Sequence, residues 1–175
     1  MTNNETSSAL KRVQSVYERR PGSALHADSP AVARWHEGLR VVTTHPSGRS
    51  VVSDMPSEFG GSGAEITPGW YSRAGTAACT ATCIAIAAEL RGIVLTRLEV
   101  TVESRSDSRG VLGMREEGGP PVDAAPAGFV VRVTVAGAAD DAALEALARE
   151  GSRCSPIAQS LARANDVELH IEIPR

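Results

Sequence analysis

The residues of this chain best suited to covalent chemistry are its three cysteines, Cys79, Cys83 and Cys154. A thiolate is a nucleophile and can be oxidised stepwise, so what matters is which thiol ionises and what it can meet. Cys79 follows a run of small residues, Ala74-Gly75-Thr76-Ala77-Ala78. On a helix Gly75 lies one turn before it on the same face, leaving space above the sulfur for a substrate or a neighbouring chain. A helix-interior thiol gains little from the macrodipole, so its activating cation has to come from elsewhere in the fold. Arg73 is a poor candidate, because six residues carry it about 120° round the helix. Cys154 directly precedes Ser155-Pro156, which reads as a helix start. The free N–H groups there favour a thiolate, which suits an attacking or resolving role. Cys83 shares the Cys79 face at i+4 and reads as a packing residue. The Cys79–Cys83 pair offers too few ligands for a metal, and His26, His36, His45 and His170 are scattered, so no zinc motif is found. On these residues alone Cys79 reads better as buried packing, and Cys154 divides evenly between a reactive and an inert role.

The elements that must position the thiols are legible around them. Thr67 is a good N-cap and Pro68 fits the first helical position; a helix then runs through Cys79 to about Arg91, and Gly92 stops it. Nothing between Ala74 and Ala88 is charged, which predicts a helix buried on every side, at the domain centre or in a subunit interface. Strands are predicted over Gly38–His45 and Arg49–Ser53, around the turn Pro46-Ser47-Gly48. Alternation predicts two more over Arg97–Ser104 and Phe129–Val135, and a last one over Val167–Ile173. Helices are expected from Asp140 or Asp141 through Arg149, and from Ser155-Pro156 to about Ala164. The Gly-rich loop Glu58–Glu65 lacks phosphate-loop spacing, and Ser106–Ala127 is a Gly/Pro/charge-rich excursion. Grouped rather than strictly alternating elements make the class α+β. A short amphipathic helix, Ser8–Arg20, belongs to an N-terminal arm over residues 1–30, and residues 31–175 form the domain proper.

Composition narrows the function. With 3% aromatic residues the core has to be built from Ala, Val, Leu and Ile. Such a core is shallow, and a second subunit would deepen it. A net charge of −3 argues against general nucleic-acid binding. Lys11 is the only lysine, so the cationic residues are otherwise arginines. No run approaches the roughly 18–20 apolar residues of a membrane span. The polar stretch Met1–Ser8 is unlike a secretory signal, and a cytoplasmic location with reduced thiols is expected.

The run Arg73-Ala-Gly-Thr-Ala-Ala-Cys79-Thr-Ala-Thr, the helix end Leu90-Arg-Gly-Ile and the downstream Cys154-Ser-Pro-Ile-Ala-Gln-Ser-Leu together resemble the OsmC/Ohr family. Gly48-Arg49-Ser-Val-Val-Ser-Asp54, the Gly-rich loop and Thr67-Pro68 fit its order of elements, so the resemblance covers about Gly38 to Ile173. It implies an intertwined OsmC-like homodimer, with central buried helices packed against antiparallel sheets and active sites at the subunit interface. It also implies a thiol peroxidase: Cys79 reduces an organic hydroperoxide and becomes a sulfenic acid, Cys154 condenses with it to a disulfide, and an external dithiol restores both. Arg49 would be the arginine beside Cys79. Where clear hydroperoxide reductases carry Asn-Pro-Glu, this chain has Thr67-Pro68-Gly69. That difference supports an alternative reading as a dimeric binding or structural protein on the same scaffold.

Overall fold

A computed structural model describes residues 4–163 and 167–174. Its centre is the helix α2, Pro68–Arg91. The Thr67 side chain accepts the Trp70 N–H at one end, and Gly92 closes the other at φ 69°, a left-handed turn that suits glycine. Strands β4 (Leu95–Arg105) and β5 (Ala127–Gly137) pair antiparallel, with Val100 opposite Val133 and Val102 opposite Val131. Helix α4 (Asp141–Arg153) starts at Asp140, which accepts the Ala143 N–H, and the short α5 (Pro156–Ala162) starts at Ser155. The core lies where α2 and α4 meet this hairpin: Ile84, Ala87, Ala88 and Leu147, flanked by Ile93, Leu95, Leu98, Val100 and Val133. The α2–α4 crossing is close. A Cβ on Gly151 would fall 2.5 Å from the Ile84 Cα, so only a residue without one fits, and the Arg91–Glu150 ion pair ties the same helices together.

The other half of the chain is built differently. Strands β1 (Val32–Glu37), β2 (Arg40–Thr44) and β3 (Ser50–Ser53) form an antiparallel sheet in that order, and β1 is exposed along its whole length. The sheet reaches the body through Tyr71, whose hydroxyl donates to the Val52 carbonyl at 2.9 Å. It also reaches it through the knot at Asp54. That carboxylate accepts the Met55 N–H (2.7 Å), the Ser62 N–H (2.9 Å) and the Ser62 hydroxyl (2.5 Å). The Ser62 hydroxyl, then the Ser62 and Met55 N–H groups, hold the Asp54 carboxyl below the usual carboxylate range. The accessible surface of the chain is 13150 Å². A compact monomer of this size would show about 8,000 Å².

Several expectations change here. The first sheet gains a strand, β1, that carries no clear alternation. Helix α4 runs to Arg153 rather than Arg149, and an N-terminal helix α1 spans Asn4–Arg19, its Ser7 hydroxyl donating to the Glu89 carbonyl at 3.0 Å. Helix α2 is not buried all round: Ala78, Thr82 and Ile86, successive at four-residue spacing, are exposed. The expected strand Val167–Ile173 is not a strand; its alternating Val167, Leu169, Ile171 and Ile173 lie open to solvent. A strand needs a hydrogen-bonding neighbour, and among the described residues none pairs with this segment. The excursion after β4 contains one helical turn, α3 (Ser108–Val111), held by Arg109 between Asp107 and Glu116. Among the described residues no helix is long and apolar enough to cross a membrane.

Candidate functional site

Two of the three thiols lie on α2, and the third is brought to that helix from elsewhere. Cys83 follows Cys79 at i+4, so both side chains leave the same helix face. Cys154 arrives from a distant part of the chain, at the junction of α4 and α5. The delivery is anchored by a buried pair: the Thr80 hydroxyl donates to the Ser155 hydroxyl at 3.2 Å, and both residues are fully buried. Ser155 also caps α5, so one side chain starts that helix and pins it to the α2 turn that carries Cys79 and Cys83. Gly75 adds a second contact. Its face is not left open as expected, because Ile157 of α5 lies 3.7 Å from where a Cβ would be.

Cys83 makes the contact between α2 and Cys154. The Cys83 thiol donates to the Cys154 carbonyl at 3.3 Å, and its sulfur is also a hydrogen-bonding neighbour of Cys79. Cys79 and Cys83 are half-buried, Cys154 is exposed, and all three are free. Burial pushes the Cys83 thiol up; negative charge on Cys79, the hydrogen bond with it, and negative charge on Cys154 push it the same way. Cys83, which its spacing suggested as a packing residue, thus also bonds the Cys154 backbone. Only its i+4 relation to Cys79 was visible in the sequence, and nothing there announced the contact with Cys154.

Cys154 also sits differently from its expected position at a simple helix start. It ends α4, donating its N–H to the Glu150 and Gly151 carbonyls, and it precedes α5. It therefore lies between the negative end of one helix and the positive end of a shorter one. Of the arginines considered, Arg73 is turned to Ser104, donating at 3.3 Å, with Nη1 3.9 Å from where a Cβ on Gly69 would be. Arg49 sits by the β2–β3 turn, lining a cleft of about 200 Å³ with Ser29, Thr43, His45 and Val51. These neighbours come from the arm and the first sheet, not from α2. A further arginine, unnoticed in the sequence, forms a carboxylate pair: Arg40 on β2 meets Glu65 at 3.4 Å, just before the α2 cap. Among the described residues no group of three His, Cys, Asp or Glu side chains is arranged to hold a metal ion.

A family profile described as OsmC-like protein matches residues 61–170, more than half of the chain. Solved structures share the fold at low identity. An OsmC-like protein from Mycoplasma pneumoniae superposes with a TM-score of 0.64 at 12% identity, over 79% of this chain and 89% of that one. An organic hydroperoxide resistance protein OsmC from Legionella pneumophila gives 0.52 at 22% identity, over 78% and 91%. An organic hydroperoxide resistance protein from Elizabethkingia anophelis gives 0.52 at 16% identity, over 78% and 89%. No curated protein matches in sequence.

Proposed function

This chain belongs to the OsmC-like protein family, and we propose that within it the protein is a homodimeric, thiol-dependent peroxidase that reduces organic hydroperoxides. The observation that carries this reading is the delivery of Cys154 to the α2 turn bearing Cys79 and Cys83, through the Thr80–Ser155 pair. Two neighbours described as organic hydroperoxide resistance proteins support it. The Cys79 thiolate attacks the hydroperoxide oxygen, an S–O bond forms, the O–O bond breaks, and the alcohol leaves with a proton. Cys154 then attacks the Cys79 sulfenic acid, an S–S bond forms and water leaves. A dithiol reduces the disulfide by two exchanges and becomes a disulfide itself. The reaction needs neither metal nor organic cofactor. A reducing, cytoplasmic compartment suits three free thiols.

The homodimer reading rests on surface. The chain exposes roughly 5,000 Å² more than a compact monomer would, which is on the scale of an obligate interface. The open row Ala78, Thr82 and Ile86, the uncovered first sheet and the unpaired apolar alternation of 167–173 are surfaces a second subunit would cover. We assign residues 31–175 to the intertwining domain and residues 1–30 to an arm laid on the end of α2 that braces the dimer. With Arg73 committed to Ser104, the cation for Cys79 crosses the interface on the partner's first sheet, and Arg49 is assigned that role. The test is thiol titration after one equivalent of cumene hydroperoxide, with dihydrolipoamide-driven turnover. Loss of two thiols, turnover, and at least a thousandfold drop in Cys79→Ser are expected; unchanged thiols and no turnover would sink the reading.

Gly69 favours a second reading, a dimeric binding or structural protein without turnover, because no carboxylate stands at that position to orient an arginine. Hydroperoxide consumption that disappears in Cys79→Ser rejects it.

A further inference from the structure

We propose that Cys83 is a third redox thiol, which takes the disulfide over from Cys79, so that the oxidised protein rests as Cys83–Cys154 with Cys79 free. This assignment deepens the peroxidase reading and draws its first oxidation from it. The geometry begins with the Cys83 thiol at 3.3 Å from the Cys154 carbonyl, which keeps its sulfur within a side chain's reach of Cys154. Cys83 stands beside both other cysteines: its thiol donates to the Cys154 backbone carbonyl on one side, and it shares the helix face of Cys79 on the other. The two helix thiols cannot pair with each other while α2 stays wound. One turn apart, their Cβ atoms are about 5–6 Å from one another. A disulfide needs about 3.5–4.5 Å. Cys154, at the exposed α4–α5 junction, is the one thiol that either of them can bond.

The exchange is balanced. With Cys79–Cys154 formed, the Cys83 thiolate attacks the Cys154 sulfur, an S83–S154 bond forms, and the S79–S154 bond breaks. Cys79 leaves as a thiolate and takes up the proton that Cys83 lost; no external oxidant or reductant enters. Charge sets the timing. In the reduced protein, burial pushes the Cys83 thiol up, which makes it a poor competitor for the peroxide. Once those two sulfurs share a disulfide neither can ionise, so no negative charge on them opposes Cys83 ionisation. Cys83 thus becomes reactive after the first two steps are complete.

The experiment uses the full reduced chain in two arms, one equivalent of cumene hydroperoxide or one of diamide, which oxidises a thiol pair without peroxide. Acid quenching, alkylation and proteolysis follow. Cys79 and Cys83 share the tryptic peptide 74–91, so fragment ions have to locate the link. Expected in both arms is a dominant Cys83–Cys154 link with Cys79 alkylated, shifting to Cys79–Cys154 in Cys83→Ser. A Cys79–Cys154 link in wild type with Cys83 fully alkylated overturns the proposal, as does the absence of any link with diamide. Cys83–Cys154 with diamide but no thiol loss with hydroperoxide upholds the pairing and rejects the peroxidase reading instead.

Discussion

The body formed by α2, α4, β4 and β5 encloses Ile84 and Leu147 completely, whereas every residue of β1 in the first sheet is exposed. The difference lies in what covers each sheet. The β4–β5 pair carries α2 across one face, held by the glycine-tight crossing with α4. The first sheet has comparable hydrogen bonding but scant apolar cover, and three strands without a buried face are marginal in water. Ladder hydrogen bonds contribute little net stability where water can compete for the same groups. The body can thus be stable by itself, while on the proposed dimer reading the stability of the first sheet would depend on protomer concentration.

The largest effect that would break this contrast comes from the open row of α2. Ile86→Glu places a charge on the surface assigned to the second subunit. The expected result is a monomer in sedimentation, with the β1–β3 amides exchanging freely and the β4–β5 amides still protected. A variant that remains dimeric with β1–β3 protected would show that the sheet is covered some other way.

A smaller effect is expected inside the body. Gly151→Ala has to force α2 and α4 apart, because its Cβ would meet the Ile84 backbone. Overpacking of this kind costs about 1–3 kcal/mol, to be read from denaturant midpoints at constant slope. An unchanged midpoint would mean that the crossing relaxes without cost.

The smallest effect sharpens the border between the regions. Asp54→Asn loosens the knot below β3 and is expected to lower the melting temperature by a few degrees. The folded carboxyl releases its proton more readily than at its ordinary value of 3.8, so its stabilisation is fully present above that value. It is lost as pH falls through the lower folded value. The gap between wild type and Asp54→Asn should therefore be full at pH 7 and close in acid; melts from pH 7 to pH 3 showing a constant gap would contradict this origin.

What the sequence disclosed follows the same division. Thr67, Pro68 and Gly92 bound α2, Asp140 and Ser155 cap α4 and α5, and the β4 and β5 alternation matches a hairpin with one covered face. These are local signals. Strand β1 was missed because Val32-Ala33-Arg34-Trp35-His36-Glu37 carries no period of two, having no face turned to a core. Val167–Ile173 shows the opposite failure: the alternation is there, but alternation reports a preference for a buried face and cannot supply the neighbouring edge. At the site, both reactive-looking thiols were visible. The sequence gives no register for which α2 turn meets the α4–α5 junction, so Cys83 read as filler and the Thr80–Ser155 pair went unseen.

Lys11 lies on the exposed side of α1, and α1 rests on the end of α2 through Ser7 and Glu89. As the chain has no other lysine side chain, amine-directed reagents address the molecule through this arm alone. A lysine-to-lysine cross-link between two copies would measure the separation of their arms and say nothing about the thiols. A dye placed there would report on the arm while leaving the three thiols unlabelled. The scarcity of one side chain makes the arm a ready-made handle for labelling.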